Sequence, residues 1–268
     1  MRQEIEDFIY KKVIRNLLLT SKLGRQSVLG EASTGYNFDH MYVNKAQGIV
    51  WLGKVVDFIL LHLPAVKATR ARKANIIKIL STEIEARKKN GENTRIMDVA
   101  CGAGRYLAEI EKKFPNIEII GVDYDFKSIK LGRSIAQSYS ISETKLRYFK
   151  GNVFQLDHLK KMGKKINWQP HIILASGLIE YLDDQKMKDA FLQIYNGLAD
   201  QSLFVLFNQQ ANPSRKLMEK VCTTKDGAWI LYYRQPGVVK TELLKVGFKH
   251  IQIHTDKWSM YNLLIVRK

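Results

Sequence analysis

From residue 95 onward, the chain alternates between short apolar runs typical of strands and longer runs with the apolar spacing of helices. This alternation predicts a parallel sheet with helices on both faces, which is the α/β class of fold. A chain of 268 residues has room for one large domain with an extension. The predicted strands cover residues 95–99, 117–122, 145–149, 171–175 and 203–207, and the helices between them cover residues 105–113, 126–137, 156–162 and 185–198.

The C-terminal end of the chain departs from this alternation. It predicts helices over 215–222 and 239–246, followed by two strands over 249–254 and 259–266. Because the two strands are close in sequence, we expect them to pair with each other in the antiparallel direction.

The N-terminal end of the chain is predicted to be helical from the spacing of its apolar residues. A change of pattern near residues 90–93 separates a helical extension, residues 1–91, from an α/β domain, residues 92–268. The predicted helices of the extension cover 3–20, 46–63 and 68–89, and residues 23–45, which are richer in Gly, Ser and Asn, are predicted to form a loop.

A glycine loop, Asp98-Val99-Ala100-Cys101-Gly102-Ala103-Gly104, joins the first predicted strand to the next helix. Gly102 and Gly104 permit a tight turn and let a ligand approach backbone amides closely. A dinucleotide-binding loop would carry a third glycine where this chain has Leu107. The carboxyl group of Asp98 suits an ammonium group of a ligand better than a pyrophosphate. The loop therefore favours S-adenosylmethionine over a nicotinamide dinucleotide.

Two further segments follow the second and third predicted strands. Asp123 lies about 20 residues beyond the glycine loop, the spacing expected of a carboxylate that binds ribose hydroxyls, although it could instead cap the next helix. Tyr124 could lie against an adenine ring. Asn152 could bind the edge of that ring and Val153 its face, but Asn152 fits an ordinary turn equally well.

The segment after the fourth predicted strand is expected to face the reacting groups. Ligands of open α/β sheets bind beyond the carboxyl ends of the central strands. Ser176, Glu180 and Tyr181 are therefore candidates on the acceptor side, and Tyr42 could close over the ligand. Glu180 could act as a general base, but near the start of a helix it could equally favour the helix dipole, and we prefer that interpretation.

The segments DVACGAG, GVDYD, GNV and ASGLIEYL resemble, in order and spacing, those of class I S-adenosylmethionine-dependent methyltransferases. Over most of its length, the chain is similar to a little-characterised bacterial family of that class. Flanking segments such as Tyr42-Val43-Asn44 and Asn212-Pro213 also match the family's order. The resemblance implies a Rossmann-like, seven-stranded, mostly parallel sheet whose last strand is antiparallel.

The resemblance also implies an activity, a cofactor and its contacts. The activity would be methyl transfer from S-adenosyl-L-methionine. Two positions depart from the family pattern: Ala100 replaces the first loop glycine, and Asn152 occupies a position that is often acidic. Both changes are mild, since alanine permits close approach and an amide oxygen accepts hydrogen bonds. The implied cofactor-binding residues are Asp98, Ala100, Cys101, Gly102, Gly104, Asp123, Tyr124, Asn152, Val153 and Ser176.

Charge and cysteine content limit the partners. The net charge of +17 favours contact with nucleic acid or an anionic membrane, or reflects only a basic surface. Two cysteines make neither a disulfide framework nor a zinc site, so we predict no metal and a cytoplasmic location. Cys101 is predicted to be a small loop residue. No signal peptide is predicted, and residues 49–63 are too short and too often interrupted by polar residues to span a bilayer.

The apolar helices favour a small or lipid-like methyl acceptor, with RNA as the second alternative. Helix 46–63 could pack in the core, wall an acceptor pocket or lie on a membrane surface. The N-terminal helix also permits peripheral membrane contact, although Glu4, Glu6 and Asp7 oppose attraction to anionic lipid. A non-catalytic scaffold of the same fold is disfavoured by the intact glycine loop and Asp123.

Overall fold

The fold is a seven-stranded sheet with helices on both faces, as seen in a computed structural model that describes residues 2–156 and 168–268. The strand order is β3-β2-β1-β4-β5-β9-β8; the first five strands are parallel, and β9 is antiparallel to both neighbours. This confirms the predicted sheet and its antiparallel last strand. The strands are β1 Arg95–Asp98, β2 Glu118–Asp123, β3 Leu146–Lys150, β4 Ile172–Ala175, β5 Leu203–Gln209, the separate hairpin β6 Thr223–Thr224 and β7 Gly227–Ala228, then β8 Lys249–Thr255 and β9 Tyr261–Arg267.

Helices precede the sheet and connect its strands. The helices before it are α1 Arg2–Phe8, a π-helical continuation Ile9–Ile14, α2 Arg15–Thr20, α3 Lys22–Val28, α4 Gly35–Val43, α5 Val50–Leu61 and α6 Pro64–Lys89. The later ones are α7 Arg105–Lys113, α8 Phe126–Ser138, α9 Asp184–Gly197, α10 Arg215–Val221 and α11 Pro236–Val246, with 3-10 turns at Val153–Gln155 and Ile179–Tyr181. Within the described residues, no helix is long and apolar enough to cross a membrane.

Successive residues of the strands enter two apolar layers on opposite faces of the sheet. Ile96 of β1 packs in one layer with Ile76 of α6 and Leu107 of α7, whereas the next residue, Met97, packs in the other layer with Phe191 of α9. Every residue of β5 is buried, as expected for a central strand covered on both faces. This burial fixes the central strands and hence the positions of the loops at their carboxyl ends.

Residues 23–45 contain two helices, α3 and α4, so the predicted loop is wrong. The Ser21 side chain accepts a hydrogen bond from the Gly24 amide, and the Thr34 side chain accepts one from the Asn37 amide. Both side chains are helix N-caps. The polar residues that suggested a loop favour helix ends for the same reason, because their side chains bond to backbone groups.

Two smaller regions also differ from the sequence prediction, and a third predicted element lies largely outside the described residues. The hairpin β6–β7 was not predicted, because two-residue strands are too short to show an alternating pattern. Strand β9 begins two residues late because the Asp256 carboxylate accepts hydrogen bonds from the amides of Trp258 and Met260 and holds a turn there. The predicted helix 156–162 lies, beyond its first residue, outside the described residues.

The N-terminal helices extend to the carboxyl edge of the sheet. Ile76, Leu80 and Ile84 of α6 pack in the same apolar layer as Ile96 of β1. α4 contacts both α6 and α8 and thereby lies over the loop that follows β1. The domain boundary at residue 91 stays a prediction, and the helices before it supply one wall of the site described next.

Candidate active site

A cleft of about 520 Å³ lies at the carboxyl ends of β1, β2, β3 and β4. The loops after these strands form one side, and α4, Arg72 of α6 and the hairpin β6–β7 form the other. In the order β3-β2-β1-β4, the chain changes direction across the sheet next to β1, which is where open α/β sheets bind ligands. The volume suits a small-molecule ligand. Nine of the ten predicted cofactor residues line this cleft: Ala100, Cys101, Gly102, Gly104, Asp123, Tyr124, Asn152, Val153 and Ser176.

The glycine loop forms the floor of the cleft. Gly102 and Gly104 both have φ of 56°, in the left-handed region where a side chain adds strain. A Cβ atom on Gly104 would also lie 2.9 Å from the Tyr148 Oη atom. Gly104 begins α7 without a side-chain cap, so the first amides of this helix are available to a ligand. The loop is thus shaped to present backbone donors to the cleft.

Gly35, a residue that the sequence analysis missed, places α4 directly on this loop. A Cβ atom on Gly35 would lie 2.5 Å from the Ala103 nitrogen, so only glycine permits the two backbones to meet. The Gly35 amide donates to the Ser128 Oγ atom at 2.9 Å, and Arg105 of α7 makes a bidentate ion pair with Asp39 of α4. The N-cap signal at Thr34 could have revealed the helix, but no local signal reveals its contact with the loop.

Asp98 is fully buried beneath the loop and outside the cleft lining. Its carboxyl group accepts hydrogen bonds from the Ala100 amide at 3.1 Å and from the Tyr106 hydroxyl at 2.5 Å. Burial raises the pKa of Asp98 to about 7, against the opposing effect of these hydrogen bonds. The Tyr106 hydroxyl also lies 3.1 Å from the Ser176 Oγ atom. The structure thus shows Asp98 tying the loop after β1 to the loop after β4, and its direct contact with an ammonium group stays a prediction.

Asp123 places a carboxylate in the wall of the cleft. Its two oxygens accept hydrogen bonds from the Gly102 amide at 2.7 Å and the Asp125 amide at 2.8 Å, which fix its orientation. Burial raises its pKa, and these two hydrogen bonds oppose the shift. The cap of α8 is Asp125, whose side chain accepts from the Ser128 amide. The alternative role of Asp123 as that cap is therefore wrong.

The hairpin β6–β7 lines the same part of the cleft, and its Lys225, another residue missed from the sequence, lies just outside that lining. The Lys225 Nζ atom lies 3.0 Å from a carboxylate oxygen of Asp125 and 5.9 Å from the centre of the half-exposed Tyr124 ring. On the other side of the cleft, the Asn152 side chain accepts a hydrogen bond from the Phe154 amide, so it does form a turn. Its contact with adenine stays a prediction, as does that of the buried Val153.

Cys101 is a structural loop residue. Burial raises the pKa of its thiol well above the ordinary value, so the thiol stays protonated. Its Sγ atom donates a hydrogen bond to the Gly102 carbonyl at 3.4 Å. These features fit the prediction that Cys101 is a small residue of the loop and not a nucleophile.

A buried ion pair stands beside the cleft, between Arg72 of α6 and Glu180 after β4. The Arg72 Nη1 atom lies 3.6 Å from a Glu180 carboxylate oxygen, and the guanidinium also lies over the rings of Phe38 and Tyr261. Glu180 stands in the first turn of a short 3-10 helix and pairs with a cation, and its preferred role at a helix dipole stays a prediction. Burial raises the pKa of Glu180, and Arg72 partly offsets this. Among the described residues, the second Glu180 oxygen has no hydrogen-bond partner.

A smaller apolar cavity of about 80 Å³, the inner pocket, lies behind the cleft. Phe38 and Tyr181 line both cavities and form the partition between them. The Tyr181 hydroxyl accepts a hydrogen bond from the Trp229 indole at 3.2 Å. Of the four acceptor-side candidates, Ser176, Tyr42 and Tyr181 line the cleft, whereas Glu180 lines the inner pocket.

Comparison with known proteins identifies the family. Residues 2–268 match the protein-family model described as "Putative methyltransferase". The chain is 23% identical over 234 residues to the uncharacterised protein YnbC of Escherichia coli, and 21% identical over 174 residues to the carboxy-S-adenosyl-L-methionine synthase of Nautilia profundicola. The match to the first relative covers 86% of this chain but only 39% of that protein's length. The match to the second covers 65% of this chain and 63% of that protein's length.

Solved structures share the fold. A possible exported protein of Bordetella parapertussis has a TM-score of 0.74 at 16% identity, covering 94% of this chain and 85% of its own. The magnesium protoporphyrin IX methyltransferase of Synechocystis with bound S-adenosylhomocysteine has a TM-score of 0.61 at 12% identity, covering 91% and 99%.

The residues of the cleft fit the cofactor of such enzymes. The loop is open to close approach, the uncapped first amides of α7 are available to a carboxylate, and Asp123 supplies an oriented acceptor for hydroxyl groups. The chain belongs to the methyltransferase family that its sequence matches, and it has the fold of the S-adenosylmethionine-dependent enzymes.

Proposed function

We propose that the protein transfers the methyl group of S-adenosylmethionine to a small apolar or lipid-like acceptor held in the inner pocket. The observation that carries the acceptor class is the apolar lining of this pocket, whose partition of Phe38 and Tyr181 adjoins the cofactor cleft. An acceptor bound there would have its apolar body buried and one end next to the cleft. Burial of apolar surface is the main source of affinity in such a pocket.

In this proposal, the cleft holds the cofactor through groups of three kinds. Gly102, Gly104 and the first amides of α7 bind the amino-acid end, and Asp123 accepts hydrogen bonds from the ribose hydroxyls. Tyr124, Val153 and Asn152 contact the adenine. The support for these roles is that all of them line one cleft, with the carboxylate of Asp123 already oriented by two amides.

When bound, S-adenosylmethionine supplies an electrophilic methyl group, so the protein's own residues mainly have to orient the acceptor and exclude water. Phe38, Tyr42 and Tyr181 cover the cleft on the side of the inner pocket. Glu180 lines that pocket with a carboxylate of raised pKa, which suits a group that accepts a proton. We assign Glu180 the role of receiving the hydrogen bond, and then the proton, of an acceptor hydroxyl.

The cofactor is tested by calorimetric titration with S-adenosylmethionine, S-adenosylhomocysteine and NAD. Binding of the first two without the third is expected. The acceptor class is then tested with methyl-labelled S-adenosylmethionine added to lipid extracts and, separately, to RNA. Label in the organic phase supports the proposal, whereas label only in RNA would replace it.

The position of the acceptor is tested with Leu217→Trp. Leu217 is half-buried and lines the inner pocket, so a tryptophan there would fill it. The expected result is a loss of transfer of about tenfold or more, with S-adenosylmethionine affinity unchanged. Leu217→Met, which nearly conserves the volume, is the matched control. Equal transfer rates for the two variants would place the acceptor elsewhere.

A further inference from the structure

Helix α5 is apolar on both sides: Val56 and Leu61 pack inward beside Asp57, and a second apolar side faces solvent. Val50, Trp51, Phe58 and Ile59 are all more than half exposed, and Trp51 is 74% exposed. Asp57, on the opposite side of the helix, is fully buried. A helix that packs on a globular core normally turns polar residues to solvent on its outer side.

Hydrogen bonds to Asp57 hold α5 in this orientation. Its carboxylate accepts hydrogen bonds from the amides of Leu23 at 2.7 Å and Gln47 at 2.8 Å, and it lies 2.7 Å from the Nε2 atom of His40. Rotating the helix to bury Phe58 would leave these buried groups without partners, at a cost of several kcal/mol. The exposed apolar side is therefore a fixed property of the fold.

The N-terminal helices extend this surface, because α2 packs against α5. We call the combined surface the apolar face. Its acidic neighbours Glu6 and Asp7 form ion pairs with Lys216 and Lys220 of α10, which offsets the charge of two of the three acids that oppose attraction to anionic lipid. The large apolar residues exposed on the apolar face are Ile5, Phe8, Ile9, Val13 and Leu17 of the N-terminal helices, and Ile49, Val50, Trp51, Leu52, Val55, Phe58 and Ile59 at and within α5.

The exposed charges at the apolar face are mostly basic, with Glu4 of α1 as an acidic exception. Lys12 lies among the exposed apolar residues of the first helices, and Lys54 is the charged residue on the exposed side of α5. The whole chain carries a net charge of +17. Apolar helix faces with an exposed tryptophan and interspersed lysines have the composition of helices that lie in the interface of an anionic bilayer. A protein partner would not require this combination of charge and aromatic residues.

We propose that the apolar face is a peripheral membrane-binding surface for bilayers that contain anionic phospholipid. The inner sides of the same helices reach the inner pocket, which Leu18 of α2 and Leu60 of α5 line. Membrane binding would bring a lipid-like acceptor to the wall of that pocket. This last step rests on the proposed function, whereas the binding surface itself does not.

The experiment is sedimentation of the whole protein with vesicles of phosphatidylcholine, with and without phosphatidylglycerol. Binding to the anionic vesicles is expected, and it should weaken with added salt. Phe58→Glu should reduce the partition coefficient by about tenfold or more. The substitution removes an aromatic ring that would enter the bilayer, and it adds a negative charge that anionic lipid repels. Leu244→Glu on α11 is the matched control, because Leu244 is 50% exposed against 55% for Phe58.

Five results separate the alternatives. Loss of binding in Phe58→Glu alone, with S-adenosylmethionine affinity intact, supports the membrane surface. Absence of vesicle binding by the unmodified protein overturns it, and so does equal loss in both variants. A concentration-dependent dimer in sedimentation velocity that Phe58→Glu abolishes would show that a second copy covers the face. Vesicle binding without methylation of any lipid would remove the proposed acceptor and leave the surface standing.

Discussion

The cofactor cleft and the inner pocket share a partition but are built from different parts of the chain. The cleft consists largely of short segments that directly follow strands, and its floor is backbone held open by glycines at positive φ. The inner pocket consists of side chains from many remote elements, among them α2, α4, α6, α10 and β9. A backbone site requires particular residues, whereas a side-chain pocket requires only apolar volume. Under the proposed function, the cleft therefore constrains the cofactor, whereas the pocket allows the acceptor to vary.

The largest expected effect concerns the ion pair between the two cavities. Arg72→Leu should lower the free energy of unfolding by about 3–5 kcal/mol, because it leaves Glu180 buried without its cation. Urea denaturation measures this. The double variant Arg72→Leu/Glu180→Leu is the control and should recover much of the loss. A single variant no less stable than the double would show that the two side chains are not coupled.

A second prediction concerns cofactor binding in the cleft alone. Asp123→Ala should weaken S-adenosylmethionine binding by about 1.5–3 kcal/mol, as expected when a charged hydrogen-bond partner is lost. Calorimetry on the folded variant measures it. Asp226→Ala removes an exposed carboxylate from the hairpin side of the same cleft and is expected to bind almost normally. Equal affinities of the two variants would remove the ribose assignment.

A third prediction is a pH dependence of stability from Asp98. Its pKa is about 7 in the folded protein against an ordinary value of 3.8, so the folded state binds this proton more tightly. The stability that results is fully present below about pH 4 and is lost as the pH rises to about 7. Asp98→Asn cannot titrate, so the difference in unfolding free energy between the two proteins should change by about 4 kcal/mol across this window, since each of the roughly three pKa units corresponds to about 1.4 kcal/mol. Parallel pH profiles in urea denaturation would contradict the raised pKa.

The sequence predicts the sheet well, because central parallel strands are buried on both faces and appear as continuous apolar runs. It fails at α3 and α4, where Ser21 and Thr34 act as helix caps in a segment whose composition resembles a loop. It also misses the hairpin β6–β7, whose strands have two residues each. The helix caps are single side-chain hydrogen bonds, and the hairpin strands are very short. Neither feature produces a periodic pattern in the sequence.

The site divides in the same way. Gly102, Gly104 and Asp123 belong to short segments whose spacing along the chain fixes their spacing in the fold. Gly35 and Lys225 lie at the cleft on segments that precede or follow the central strands, and only the tertiary packing brings them there. Arg72 lies in α6, far from Glu180 in sequence, and only the packing of α6 against the loop after β4 brings the two side chains together.

Helix α4 touches both cavities along its length. Gly35 at its first turn rests on the glycine loop, Phe38 stands in the partition, and Met41 lines the inner pocket. A ligand that immobilises one end of a rigid helix also restricts the other end, so each ligand should alter the affinity of the protein for the other. Thermodynamic reciprocity requires the two factors to be equal. The nine residues of α4 would then set how strongly the binding of one ligand changes the affinity for the other.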